Sequence, residues 1–201
     1  VHRITSTRRE SVNVANIKLT AAPLSGGGDI DIAGNRIIIR DDLALVSVAT
    51  PLGGEDALKK TLTAEFGLKV PAATLSSTAK GMRAVSMAPD AMLLIFAHAT
   101  PDAEMHVRAK LGGAGYTTDQ TDSMLAIEVS GPATMAAMER ICPLDLHHGS
   151  FGKNASGRTV MQHMAATIIA LGDAHFLLLT ASSSAKSFLH ALEKSYRNVI
   201  S

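Results

Sequence analysis

The sequence predicts an α+β protein built from two juxtaposed layers of βαββαβ type. Three observations predict it. Short Ile-, Val- and Leu-rich runs alternate with segments whose apolar residues recur every three or four positions. Gly, Pro and Asp punctuate those segments at intervals suited to short connections. The order strand, helix, strand, strand, helix, strand then nearly recurs in the second half, without any sequence repeat to match. That order is the ferredoxin-like split βαβ arrangement.

Residues 1–35 differ from the rest. They carry Arg3, Arg8 and Arg9 and the run Ser25-Gly26-Gly27-Gly28-Asp29, and read as a flexible N-terminal arm with a short extended piece at Val14–Leu19. A first α+β subdomain is expected over 36–120 and a second over 121–201. Arg36–Arg40 and Leu43–Ala49 read as strands. Glu55–Phe66 reads as a helix, because Leu58, Leu62 and Phe66 form one stripe, Glu55 and Asp56 suit the positive end of its dipole, and Gly67 is placed to stop it. Lys69–Gly81, with Pro71 and Ser76-Ser77-Thr78, reads as a loop. Met82–Met87 and Ala91–Ala97 are strands joined by a Pro89-Asp90 turn. A helix over Pro101–Leu111 is expected to be capped by Thr100 and ended by Gly112-Gly113, before a strand at Tyr116–Gln120.

In the second half Met124–Val129 reads as a strand and Gly131–Ile141 as a helix, with Ser130 as its cap and Pro132 in its first turn. Thr159–Leu171 and His175–Thr180 read as two strands around Gly172-Asp173. Ser183–Asn198 closes the chain as a helix, with Phe188, Leu192 and Tyr196 or Val199 inward and Ser182 to Ser184 at its free N–H groups.

Composition excludes several functions. Of 201 residues, 46% are hydrophobic and 18% charged, a balance suited to a globular core. Nineteen Lys and Arg against eighteen Asp and Glu give a net charge of +1, with no global field to attract nucleic acid or an anionic membrane. The single cysteine, Cys142, excludes an internal disulfide and any multi-cysteine metal site, and fits a reducing compartment. No apolar run approaches the roughly 20 residues that span a bilayer, and the polar, Arg-bearing first ten residues do not read as a secretory signal. A cytoplasmic location is expected.

Neither common phosphate-binding loop is present. Gly112-Gly113-Ala114-Gly115 follows a helix and reads as its cap. Gly149-Ser150-Phe151-Gly152 lacks the spacing of a nucleophile elbow. Of the eight histidines, His163, His175 and His190 are read as having no second ligand at helical spacing, and His147 and His148, as neighbours on an extended chain, face opposite ways. Cys142 lies at a helix C-terminus, where the dipole raises a thiol pKa. No set of acid, base and nucleophile assembles, so the residues favour binding or holding over independent chemistry.

One segment goes further. Glu139-Arg140-Ile141-Cys142-Pro143-Leu144-Asp145-Leu146-His147 resembles the C-P-L-D-L-H signature of the gamma subunits of heterotetrameric sarcosine oxidase. Arg158-Thr159-Val160-Met161 with the hairpin around Gly172-Asp173 resembles that family's R-T hairpin. Ala185–Leu192 is similar to its closing helix, and Met87-Ala88-Pro89-Asp90-Ala91-Met92-Leu93 to its W-x-S-P-D-E-x-L turn. The resemblance covers about residues 36–200 and is strongest after Met82. The D subunit of methylglutamate dehydrogenase shares the pattern and is not separable from it.

What the resemblance implies is a small, non-catalytic subunit that supports larger ones, with a fold similar to the N-terminal part of the folate-binding glycine-cleavage T-protein. Partners would be alpha, beta and delta subunits, carrying FAD, FMN, NAD, tetrahydrofolate and zinc, with no cofactor in this chain. Its complex would oxidise an N-methyl amino acid such as sarcosine. Arg140, Cys142, Pro143, Asp145, His147 and Arg158 are the residues expected to matter structurally or at a partner, with Pro143 fixing the helix exit and Asp145 capping locally or pairing with Arg140 or Arg158.

Two departures stand out: His148 where the family commonly has proline, and Val85 near its usual tryptophan. T-protein relatives also carry carboxylates in the hairpin facing folate, whereas Met161–Ala166 has none, which removes the obvious partner for a pterin or amine. The alternative readings are a stand-alone folate-binding module and an unrelated adaptor on the same fold.

Overall fold

The computed structural model describes residues 29–98 and 100–201. The expected extended piece at Val14–Leu19 lies outside them. Eleven strands and four α-helices are described: β1 (Ile30–Ile32), β2 (Asn35–Ile39), β3 (Leu43–Ala49), α1 (Glu55–Thr61), β4 (Ser76–Ala79), β5 (Met82–Ala88), β6 (Ala91–Ala97), α2 (Ala103–Leu111), β7 (Tyr116–Asp119), β8 (Met124–Ser130), α3 (Thr134–Glu139), β9 (Ser156–Met161), β10 (Met164–Gly172), β11 (His175–Ala181) and α4 (Ala185–Ile200).

The strands form two antiparallel sheets, ordered β4-β5-β6-β3-β7 and β1-β2-β8-β11-β10-β9. In the first, β3, α1, β5, β6, α2 and β7 reproduce the βαββαβ order, with the last strand beside the first, and β4 is added at the edge. The second has the same arrangement with a different chain order. β8, α3, β10, β11 and α4 supply all but the final strand, and β2 fills that place by pairing antiparallel with β8. The two strands ahead of Arg40 therefore join the sheet otherwise built from residues 124–181 and tie the two layers together.

The layers stack helices, sheet, sheet, helices. Leu43, Leu45, Val85, Leu93, Ile95, Ala126, Ile169, Leu177 and Leu179 pack between the sheets. On the outer face of the first sheet, Leu58, Leu62, Val107 and Leu111 of the helices cover Val46, Val48, Leu94 and Phe96. On the second, Phe188, Leu192 and Tyr196 of α4 and Ala137 and Met138 of α3 cover Ile127, Ile168 and Leu178. Both faces of the central strands are thus dry, which explains why β6, β10 and β11 read as continuous apolar runs without alternation.

Several local expectations are corrected. Ile30–Ile32, inside the expected arm, pairs with β2 through a turn at Ala33-Gly34, and Ile30 and Ile32 pack on the core. Ser76-Ser77-Thr78, read as loop from turn-forming residues, pairs with β5. The helix after Glu55 widens into a π turn over Leu62–Phe66 before Gly67 ends it at φ 71°, and this buries Leu62, Phe66 and Leu68 together. Thr159–Leu171 is two strands, broken at Gln162-His163 with φ 47° and 68°. This is the all-positive geometry of a two-residue hairpin turn, adopted here without glycine.

The helix caps also differ. Thr100 bonds to the Asp102 carboxylate, and α2 begins at Ala103. Ser182 donates to the Asp122 carbonyl at 2.6 Å, and no serine side chain caps α4. The α3 helix is shorter than Gly131–Ile141, and Ser130 does not cap it. Asn35 does, from β2: its Oδ1 accepts from the Ala133 N–H at 2.7 Å and its Nδ2 donates to the Ile32 carbonyl at 2.9 Å. No helix among the described residues is long and apolar enough to cross a membrane.

Candidate functional site

The C-P-L-D-L-H segment leaves α3 as an ordered surface loop. The Cys142 N–H closes the last turn on the Met138 carbonyl at 2.8 Å, and Pro143 then prevents the helix from continuing. Cys142 and Leu146 point into the core while Pro143, Asp145 and His147 face outward. Burial pushes the Cys142 thiol up, which disfavours its thiolate. The Asp145 carboxylate accepts the His147 N–H at 3.0 Å. Hydrogen bonds from the Ser150 hydroxyl and that N–H hold it below the usual carboxylate range. The His147 carbonyl accepts from Ser150 and Phe151 at 2.8 and 2.7 Å.

The local-cap role expected of Asp145 is present, and the ion pair is not: among the described residues Asp145 pairs with neither Arg140 nor Arg158, both of which are exposed. The turn also brings the His147 and His148 rings together, with centroids 4.2 Å apart, rather than to opposite sides. They edge a hollow of about 260 Å³ shared with Phe151, Asp173 and Phe176. Beneath the loop, a Cβ on Gly157 would lie 2.8 Å from Leu144 Cδ1, so that side chain would have to shift to admit one.

Arg158 belongs to a different place. It lies on the edge strand β9, at the open end of the sandwich, over a cavity of about 380 Å³. Met87, Ala88 and Pro89 form the opposite wall. Two stretches that carry the family resemblance, some seventy residues apart, therefore meet at one cavity. Ser156 and Thr167 line it as well, and the Ser156 hydroxyl is buried without a hydrogen-bond partner among the described residues. A bridge between Leu75 and Ala155, with the Ser76 N–H on the Asn154 carbonyl at 2.7 Å, staples the two sheets beside it. Arg83, half-buried, adds bonds to Ser76 and Asn154 at 2.7 and 3.0 Å.

A charged network crosses β2, β8 and β11. Arg40 grips Asp42 with two bonds of 2.7 and 2.8 Å and also bonds Glu128, whose other oxygen meets His175 Nε2 at 2.7 Å. Burial disfavours the Glu128 charge, but hydrogen bonds from His175 and Arg40 outweigh it and hold the carboxyl below its ordinary value. Asp42 is lowered chiefly by its bond to Arg40. Sequence reasoning missed this cluster. Arg40 and Glu128 are 88 positions apart, and the only signal is the strand register, which places Glu128 opposite Ile38 and Leu177, two positions from Arg40 and His175. The guanidinium, the two carboxylates and the imidazole all find partners within the network, which makes it a clamp across strands rather than a set of reactive groups. Beside it a cavity of about 450 Å³ is edged by Asp41, Asp119, Asp122 and His98. No group of metal-ligating side chains assembles among the described residues.

No family model matches the chain. Individual proteins do. Sarcosine oxidase subunit gamma of Corynebacterium sp. (strain P-1) is 25% identical over 126 residues, covering 63% of this chain and 62% of its own length. That of an Arthrobacter species is 26% identical over 113 residues, 56% of each. The chain thus spans less than two thirds of these two relatives. The Corynebacterium sp. (strain U-96) subunit gamma is 25% identical over 169 residues, 81% of this chain and 80% of its own.

Among solved structures, a chain of heterotetrameric sarcosine oxidase from Corynebacterium sp. U-96 superposes with a TM-score of 0.71 at 21% identity, covering 82% of this chain and 84% of that one. The glycine cleavage system aminomethyltransferase T of Bartonella henselae covers 80% of this chain at a TM-score of 0.49 and 13% identity, too low to carry the comparison further. By sequence this chain is similar to sarcosine oxidase gamma subunits, and its fold is similar to that of a chain of the heterotetrameric enzyme.

Proposed function

We propose that this chain is a gamma-type subunit of a sarcosine-oxidase-type complex, supporting assembly of larger subunits that oxidatively demethylate sarcosine. The observation that carries the reading is the 169-residue likeness to a sarcosine oxidase gamma subunit. The described residues agree with a supporting role. Their main charged cluster is consumed in bracing three strands. The C-P-L-D-L-H loop presents Pro143, Asp145 and His147 from a backbone fixed by its own hydrogen bonds. Such a surface gives a neighbouring subunit a rigid support, and the precision of a cofactor site depends on the rigidity of what surrounds it. In this reading the flavins, NAD, tetrahydrofolate and zinc reside on alpha, beta and delta subunits.

Co-expression with candidate alpha, beta and delta subunits, purified through a tag on alpha, tests the proposal. Recovery of this chain in equimolar amount is expected, and its loss in the Asp145→Ala, His147→Ala double variant would place the loop at the contact. Failure of the unmodified chain to co-purify at low salt would overturn the subunit reading.

A further inference from the structure

We propose that the cavity beneath Arg158 is a binding site for a small carboxylic acid with an apolar body. At about 380 Å³ it falls within the range of small-ligand pockets. Its lining combines apolar side chains, Val70, Pro71, Met87 and Met92 among them, with five Ser and Thr residues, and Arg158 is the only ionisable residue in it. Among the described residues Arg158, like Arg83 and Arg140, has no carboxylate partner, whereas Arg36, Arg108 and Arg197 each have one and Arg40 has two.

The polar groups converge. Side chains alternate along a strand, so Ser156 and Arg158 share the face of β9 that looks between the sheets. The register sets Thr167 of β10 directly opposite Arg158, and Ser156 opposite the inter-sheet residue Ile169. One guanidinium and two hydroxyls are thus grouped on neighbouring positions of β9 and β10 along the cavity. Ser156 is 97% buried by its 3% exposure, and its hydroxyl lacks a partner. A buried polar group without a partner is costly, and a ligand oxygen would satisfy it. A guanidinium fork joined by hydroxyl donors matches a carboxylate in both charge and geometry. The wall is pre-formed, because the Ser156 N–H is bonded to the Thr74 carbonyl at 2.8 Å and the adjoining sheet edges are stapled. Little ordering cost then falls on binding.

The test is amide NMR of the full chain titrated with isobutyrate and benzoate and, in parallel, with their neutral amides. Saturable shifts at Ser156–Arg158, Thr167 and Met87 are expected for the acids, with the amides weaker by about ten-fold or more, as for a lost charge-assisted hydrogen bond. Arg158→Gln should reduce the acids to the level of the amides, Arg158→Lys should restore part of the difference, and His147→Ala, at the other hollow, should change nothing. The acid–amide comparison needs no variant, so a misfolded variant leaves it decisive. Equal binding of acid and amide, no saturable shift at tens of millimolar, or saturation only by an acidic peptide would each overturn the proposal, the last by assigning the cavity to a protein side chain. Because the chain is tested alone, failure here and failure to co-purify are separate results.

Discussion

Replacing Asn35 by alanine should destabilise the protein more than any exposed substitution in the second layer. Asn35 is buried on β2, and its side chain bonds to Ala133 and Ile32 and, at 3.4 Å, to the Ala33 carbonyl. The first, at 2.7 Å, satisfies one of the N–H groups that every helix start leaves free. Alanine removes all of these bonds at once, the one to the part-buried Ala133 N–H included. Loss of a cap costs about 0.5–2 kcal/mol, and stranding a buried polar group about 1–3 kcal/mol. The two figures describe overlapping losses, so the expected destabilisation is about 2 kcal/mol rather than their sum. For a chain of this size that lowers Tm by roughly 4–8 °C. Ser130→Ala is the matched control. Ser130 is the cap that the local sequence suggests, yet its hydroxyl makes no bond to α3, and its loss should stay within about 0.5 kcal/mol. Urea and thermal unfolding of both variants decide the matter. An Asn35→Ala variant as stable as its parent, or a Ser130→Ala variant that loses more, would refute the assignment of the cap to β2.

Other expectations concern the network, the loop and the thiol. Glu128 has a lowered pKa in the folded chain, so its contribution to stability is present above its ordinary value of 4.5 and is lost as pH falls below that. Glu128→Gln should therefore be less stable than the parent at neutral pH, with the gap narrowing as Tm is followed downward from about pH 4.5. A gap that does not vary with pH would disprove the linkage. Gly157→Ala forces a Cβ toward Leu144 Cδ1 and Phe151, and should cost about 1–3 kcal/mol as overpacking does, with the largest amide shifts in residues 144–151. Shifts confined to the inter-sheet face would contradict that packing. Cys142 should resist iodoacetamide at neutral pH while the chain is folded and react on unfolding, because it is buried and its pKa is raised. Fast alkylation of the folded chain, followed by mass spectrometry, would show the thiol to be accessible after all.

Much of the architecture was legible because its signals are local. Leu43–Ala49 and Ala91–Ala97 are strands with the bounds their apolar runs suggest. The stripe Ala103, Val107 and Leu111 is the buried face of α2, and Gly112 and Gly113 end that helix at φ 55° and 88°. The buried face of α4 follows from Phe188, Leu192 and Tyr196. Of the site residues, Cys142 as a core side chain and Asp145 as a local cap could be read from the segment itself. Their chemistry reaches only two to four residues along the chain.

What tertiary structure alone decided are the pairings between distant segments. Nothing near Asn35 announces that it caps a helix 98 positions later, and Ser130 is the better cap by any local rule. Nothing around Ile37 shows that its strand completes the second sheet instead of the first. Arg158 looked like a partner for Asp145, yet β9 carries it to another cavity, beside the Met87–Pro89 turn. Amino-acid order determines propensity and periodicity, which act over one turn or one strand. Which faces meet depends on how two sheets bury the most apolar surface together, and that is a property of the whole chain.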